Sequence, residues 1–164
     1  MDKIQFYYID PNYIACLKVV DRRVPDVVYP GRHRKMLCGT VLQVNECSYY
    51  VPLSSRTVRS STDFVIYGKK SKPIASLRFQ YMIPVPESVL TKIDVVVLMQ
   101  TDAKYGDLVQ EEYYFCNEPE NVREIKRMAK RAFTISSNRN HDKNRFFCDF
   151  AALEAAMREY QIDS

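Results

Sequence analysis

Apolar and polar residues follow two different rhythms along this chain, and the rhythm changes near residue 86. Ile4-Gln5-Phe6-Tyr7-Tyr8-Ile9 is β-branched and aromatic and predicts a first strand. Asp10-Pro11 follows. Asp10 can cap a helix and Pro11 can take its first position, and Tyr13, Ile14, Leu17 and Val20 or Cys16 then fall at helical spacing, giving a helix of about ten residues. Met36 to Val44 is apolar with one glycine and predicts a buried strand. Cys47 to Leu53 predicts a second, with Asn45-Glu46 as the hairpin turn between them. Phe64 to Tyr67 is a short strand. Ile74 to Ile83 alternates, with Ala75, Leu77, Phe79 and Tyr81 set against Ser76, Arg78 and Gln80, as a half-buried strand does. Asp21–Lys35, Ser54–Asp63 and Gly68–Pro73 hold the prolines, glycines, hydroxyls and cations of loops.

Beyond Pro84 and Pro86 the spacing becomes helical. Residues 102–116 carry Tyr105, Leu108, Val109, Glu112 and Tyr113. Pro119 can open a further helix with Val122, Ile125, Ala129, Ala132 and Phe133 on one face and Arg123, Lys126, Arg127, Lys130 and Arg131 on the other. Asn138 to Asn144 is a polar break. Phe146, Phe150, Leu153, Met157 and Tyr160 then mark a last amphipathic helix. The expected fold class is α+β: one domain over 1–164, sheet-rich in 1–86 and helix-rich in 87–164, with a twisted antiparallel sheet flanked by about four helices.

Composition narrows the function classes. A chain of 164 residues with 46% hydrophobic residues can bury one core. No apolar run approaches the roughly 20 residues that span a membrane, and the N-terminus carries no basic-then-apolar leader, so the expected compartment is the cytoplasm. The five cysteines form no Cys-x-x-Cys pair and read as reduced thiols that pack as small hydrophobes. The net charge of +4 is uneven: residues 1–100 hold 14 Lys and Arg against 8 Asp and Glu, whereas residues 101–164 hold 10 against 12. A basic excess on the strand-rich half suits a polyanionic partner.

Several chemistries have no motif here. There is no phosphate-binding glycine loop, no His-Glu-x-x-His and no Gly-x-Ser-x-Gly. His33 and His141 each sit in a polar loop and read as exposed, non-catalytic residues. The carboxylates are scattered at spacings unsuited to a divalent ion, so neither metal nor cofactor is expected. By frequency alone, Ser54 and Ser55 at a strand end are turn residues and Lys35 is a solvated charge. Most of the twelve tyrosines are expected to fill the core, while those beside a basic loop can stack on unpaired bases.

Three stretches together resemble one family. They are Phe6-Tyr7-Tyr8-Ile9-Asp10-Pro11-Asn12-Tyr13-Ile14-Ala15-Cys16-Leu17-Lys18 with Asp21-Arg22-Arg23-Val24-Pro25; Lys35-Met36-Leu37-Cys38-Gly39-Thr40-Val41-Leu42 leading to Tyr49-Tyr50-Val51-Pro52-Leu53-Ser54-Ser55; and Tyr81-Met82-Ile83-Pro84-Val85-Pro86. In order and spacing they are similar to the ToxN/AbiQ/CptN family of type III toxin–antitoxin endoribonuclease toxins. The clear match covers residues 4 to 86.

The resemblance implies a fold related to the Kid/MazF toxins and metal-independent RNA cleavage through the 2′-OH to a 2′,3′-cyclic phosphate. It also implies inhibition by a short, repeated, pseudoknotted antitoxin RNA in a closed protein–RNA oligomer, with cellular RNA as substrate and a role in phage abortive infection or plasmid maintenance. It assigns the site to Ser54 and Ser55 as the hydroxyl pair, Lys35 as the lysine leading the strand, and Tyr29 as the loop tyrosine. The family pattern reads Pro-Leu-Ser/Thr-Ser-Pro-Lys, but Pro52-Leu53-Ser54-Ser55-Arg56-Thr57 stands here. Thr57 occupies the lysine position, so either Arg56 or Arg59 supplies the charge or the chain is a weaker or altered catalyst.

Cleavage by a 2′-OH needs a base, a cation for the phosphorane and an acid for the 5′ oxygen. Lys35 crowded by Arg32, Arg34 and other cations is expected to have a lowered pKa and can then serve as base. Ser55 and Thr57 can hydrogen-bond the phosphate. The basic loop Arg22, Arg23, Arg32 and Arg34 and the helix carrying Arg123, Lys126, Arg127, Lys130 and Arg131 are the expected RNA-gripping surfaces. A non-catalytic RNA-binding regulatory protein, or a toxin of the Kid/MazF fold controlled by a protein, remains an alternative from the sequence.

Overall fold

The computed structural model describes residues 2–58 and 60–163. Its centre is an antiparallel sheet in the order β4-β5-β3-β2-β1-β7, built from β1 (Gln5–Ile9), β2 (Leu37–Val44), β3 (Cys47–Ser54), β4 (Asp63–Tyr67), β5 (Pro73–Arg78) and β7 (Leu90–Lys92). A two-residue strand, β6 (Ile83–Pro84), pairs with β3 off this path. Among the described residues five α-helices flank the sheet: α1 (Pro11–Val20), α2 (Val95–Thr101), α3 (Ala103–Cys116), α4 (Pro119–Ser137) and α5 (Phe150–Asp163).

Most boundaries follow from local chemistry. Asp10 caps α1 by accepting from the Asn12 N–H at 2.9 Å, and Pro11 occupies the first turn, where its missing donor costs nothing. Asn45 and Glu46 both take positive φ (53° and 63°), the backbone of a two-residue turn whose twist matches the strands it joins. α4 buries Val122, Ile125, Ala129, Ala132 and Ile135 at helical spacing, with its cations on the other side. α5 buries Phe150, Leu153 and Met157, whereas Phe146 lies outside the helix and half exposed. Cys38, Cys47, Cys116 and Cys148 are buried free thiols, and Cys16 is exposed.

Two features depart from the sequence expectations. The strand expected over Ile74–Ile83 ends at Arg78; Phe79–Tyr81 makes a 3-10 turn, and the chain returns as β6 against Tyr49 and Tyr50. The turn lets Phe79 and Met82 both enter the core, which a continuous alternating strand would forbid. Leu90–Lys92 pairs with β1, a strand too short to show a period. Val95–Thr101 is helical despite three successive valines, because Asp94 accepts from the Val96 and Val97 N–H groups.

Buried hydrogen bonds tie the helices to the sheet. The Tyr13 hydroxyl of α1 donates to the Pro84 carbonyl at 2.7 Å, and the Tyr49 hydroxyl of β3 donates to Glu154 of α5. The register of β2 on β3 shifts between Gly39 and Leu42, and the Tyr50 ring lies over Gly39. A Cβ at Gly39 would come within 2.4 Å of that ring, so this position admits only glycine. Gly39→Ala should therefore destabilise the fold by about 1–3 kcal/mol through overpacking, measured by chemical denaturation. A wild-type midpoint would mean that the ring moves away freely.

Candidate active site and RNA-facing surface

The pairing of β2 with β3 builds the site. Leu37 faces Pro52 and Cys38 faces Val51, and one step further the Leu53 N–H donates to the Met36 carbonyl at 2.9 Å. Continuing that register sets Lys35 across from Ser54 at the end of the hairpin. On its other edge β3 pairs with β5, Leu53 facing Leu77 and Ser54 facing Ser76, which places Arg78 one strand away. Two hollows meet here. One, of about 390 Å³, is lined by Tyr29, Lys35, Ser54 and Ser55 together with Arg32 and Arg34 from the loop and Tyr105, Leu108 and Glu112 from α3. The other, of about 430 Å³, is lined by Tyr29, Lys35 and Ser54 again, with Lys18, Arg22, Arg23, Arg78 and Tyr81. Tyr29, Lys35 and Ser54 form the shared ridge.

Lys35 is half-buried, and burial pulls its ammonium pKa down, with Arg78 adding like-charge repulsion. The expectation was crowding by Arg32, Arg34 and other cations; the like charge that acts is that of Arg78. Arg34 instead turns away, donating to the Ile9 carbonyl at 3.0 Å with its guanidinium over the Tyr8 ring. The Lys35 Nζ stands 5.9 Å from the centre of the Tyr29 ring. Tyr29 donates its hydroxyl to the Asp26 carbonyl at 2.7 Å, and burial raises its pKa, so it stays a protonated donor. The Ser54 Oγ accepts from the Arg56 N–H at 3.1 Å, which fixes the turn leaving β3 and leaves the hydroxyl proton free to donate. Ser55 is exposed on the rim of the first hollow.

Of the residues expected to supply charge next to the serines, none is seen lining the hollows. Arg56 and Thr57 are both exposed and line neither hollow, and Arg59 lies outside the described residues. Arg78 does line the second hollow. It is held over the Tyr81 ring at 4.8 Å and beside Asp63, with its Nε 3.6 Å from the buried carboxylate. With its amide oriented to satisfy both neighbours, Gln80 accepts from Arg78 Nη2 at 3.0 Å. Burial raises the Asp63 pKa, and Arg78 and Arg56 oppose that rise. In the sequence Arg78 falls on the polar side of an alternating strand, and the β3–β5 pairing is what brings it beside Lys35.

The remaining cations divide. Arg22 and Arg23 line the second hollow, and Arg23 is clamped by Asp21 at 2.9 Å and bonded to the Arg145 carbonyl. On α4 the five cations do not act as one face. Arg127 donates two hydrogen bonds to Glu124 (2.6 and 2.9 Å), Arg131 stands beside Ser61 and Thr62, and Arg123 is exposed. Lys126 and Lys130 join Lys3 along β1 and β2, around a third hollow of about 490 Å³.

The match of the ToxN toxin model, a family of type III toxin–antitoxin systems, spans residues 5–158. The chain belongs to this family. Endoribonuclease ToxN of Bacillus thuringiensis subsp. kurstaki is 29% identical over 170 residues, covering 98% of this chain and 86% of that protein. Endoribonuclease AbiQ of Lactococcus lactis subsp. lactis is 25% identical, covering 98% and 91%. A toxin solved in a study of selective inhibition by a non-coding RNA pseudoknot superposes with a TM-score of 0.89 at 27% identity, covering 98% of this chain and 99% of that one. The lactococcal anti-phage endoribonuclease AbiQ superposes at 0.80 with 21% identity, a likeness of fold. The α+β sheet with flanking helices is thus the ToxN architecture, with one helix more than the sequence predicted. Among the described residues no helix is long and apolar enough to cross a membrane.

One titration is unusual in this ToxN-family cavity. Glu112 on α3 is 4% exposed, and burial, with the neighbouring Glu111, pushes its pKa up to about 8. A carboxyl whose folded pKa lies above its unfolded value stabilises the fold fully below about pH 4.5 and loses that contribution as pH rises toward 8. Glu112→Gln removes this proton linkage. Its stability relative to wild type should therefore climb between pH 5 and pH 8, roughly, in paired denaturation curves. A difference independent of pH would mean that Glu112 is ionised in the folded protein.

Proposed function

We propose that this chain is the endoribonuclease toxin of a type III toxin–antitoxin system and that its reaction centre is the ridge of Lys35, Ser54 and Tyr29 with Arg78 behind it. The observation that carries the assignment is the convergence of Lys35 and Ser54, distant in sequence, at one end of the β2–β3 hairpin beside a second cation. Lys35, with its lowered pKa, takes the proton from the ribose 2′-OH. The 2′ oxygen attacks phosphorus and the bond to the 5′ oxygen breaks, leaving a 2′,3′-cyclic phosphate; the departing oxygen takes its proton from solvent. Ser54 and Ser55 donate hydrogen bonds to the phosphate oxygens, and Arg78 neutralises the charge that builds on the phosphorane. Arg78 thereby fills the place that Arg56 or Arg59 was expected to fill. Cellular RNA is the substrate.

The whole reaction can be run with side-chain cations, so the activity is proposed to be metal-independent. In single-turnover assays with EDTA, wild type should cut RNA at an unchanged rate. Lys35→Ala or Arg78→Ala should slow it by about 10²–10³, the usual loss for one transition-state contact. Either variant cutting at the wild-type rate while folded, or EDTA abolishing wild-type cleavage with magnesium restoring it, contradicts this arrangement.

The antitoxin is proposed to be a short, repeated, pseudoknotted RNA held with the toxin in a closed oligomer, by analogy with the relative studied for pseudoknot inhibition. The biological role is abortive phage infection or plasmid maintenance. Phosphates are gripped by the loop arginines at the site and by Lys126 and Lys130 at the third hollow, while Arg127 is engaged in an exposed ion pair with Glu124. Each phosphate neutralised adds about 0.7–0.9 to the salt dependence of log K. Lys126→Glu with Lys130→Glu should lower that slope by roughly 1.4–1.8 and leave cleavage of short RNAs intact. An unchanged slope would confine RNA capture to the site loops.

A further inference from the structure

The hollow that holds Lys35 and Ser54 at one end has a different character at the other. There α3 presents Tyr105, Leu108 and Glu112. The His33 ring stacks on Tyr105 with centroids 3.6 Å apart and planes 4° from parallel. His33 is fixed in that position by an Nε2–Asp102 contact of 3.1 Å, yet 56% of its side chain remains exposed, so its outer face is open. Met36 and Ile74 supply apolar wall. Glu112, buried among these groups, makes no hydrogen bond or ion pair within the described residues. Its carboxyl forms part of the hollow's lining and has no protein partner among the described residues, which leaves it for water or a ligand to meet.

We propose that this end of the hollow is a nucleobase subsite, in which one unpaired base of the RNA stacks on the His33–Tyr105 pair and Glu112 reads its Watson–Crick edge. The proposal rests on the ribonuclease reading above, and it names a residue that selects the sequence rather than one that performs the cut. Stacking of an unpaired base on aromatic rings is the common means of holding single-stranded RNA, with hydrogen bonds to the base edge adding choice. The volume of about 390 Å³ leaves room for one base beside the phosphate at Lys35.

Glu112 suits the reader's part because burial keeps it uncharged near neutral pH. A neutral carboxyl sets one donor beside one acceptor, the pattern of an amide, and can form two parallel hydrogen bonds with a base edge. An ionised carboxylate offers acceptors alone. A glutamine at this position therefore reproduces the reading group, whereas leucine or methionine removes it while keeping the apolar wall.

The test uses 2′-O-methyl trinucleotides of A, C, G and U, which lack the 2′ nucleophile and report binding without cleavage. Affinities are measured by fluorescence anisotropy at one pH and salt for wild type, Glu112→Gln, Glu112→Leu and Glu112→Met, each checked for a cooperative melt. Wild type and Glu112→Gln should favour one base over the poorest by about tenfold, the scale of a bidentate base contact. Both apolar variants should bring the four affinities to within about threefold. A wild-type spread that survives in either folded apolar variant overturns the subsite, as does equal wild-type affinity for all four. Cleavage of natural RNA by wild type is scored separately. Base-selective binding without cleavage would refute the ribonuclease reading and leave the subsite standing, whereas cleavage with a spread indifferent to Glu112 would do the reverse.

Discussion

The antiparallel register between β2 and β3 is the constraint on which the rest of this molecule depends. Leu37 opposite Pro52, with the Leu53 N–H on the Met36 carbonyl, is enough to carry Lys35 to Ser54. A slip of one residue would send every side chain of the hairpin to the opposite face. The slip is prevented from both ends. The Asn45-Glu46 turn has a conformation that suits strands in this pairing, and Tyr50 packed over Gly39 fits only where glycine stands opposite it. The core side of the hairpin is equally committed, since Cys38, Val41, Tyr49 and Val51 are buried with almost no exposure.

From that register follows the electrostatic character of the site. Lys35 is pressed between a protein wall and Arg78, and both circumstances favour its neutral form. Arg78 is itself held by the buried Asp63 and by the Tyr81 ring, so the repulsion cannot be relieved by swinging the guanidinium into solvent. Where the hollow reaches α3 the same desolvation acts on a carboxyl, and Glu112 retains its proton. One wet hollow therefore presents a proton acceptor at one end and a neutral hydrogen-bonding group at the other. A scissile phosphate and the base beside it place those same two demands on a ribonuclease.

Much of this was legible in the sequence, for identifiable reasons. α1 was readable because Asp10-Pro11 is a helix start with a mechanism, and the β2–β3 hairpin because two apolar runs flank a two-residue turn. Lys35 and Ser54 were visible only through the resemblance, since a lysine and a serine at strand ends are ordinary residues by themselves. Arg78 was missed because its significance lies in the β3–β5 pairing, which no local pattern encodes. β7 was missed because three residues carry no period, whereas α2 lies in the stretch read as helical and only its start, set by the Asp94 cap, was not marked out. The cations of α4 were legible as one face of a helical wheel, but the exposed ion pair of Arg127 with Glu124 shows only in three dimensions.

The central claim is that a 2′-OH, activated at this ridge, is the nucleophile. End-group analysis of the cut RNA by mass spectrometry tests it most directly, with wild-type protein and one defined substrate. The upstream fragment should end in a 2′,3′-cyclic phosphate and the downstream one should begin with a free 5′-hydroxyl. A substrate carrying a single 2′-deoxyribose at that position should not be cut. A 3′-hydroxyl paired with a 5′-phosphate, or normal cutting of the deoxy-substituted RNA, would contradict the claim.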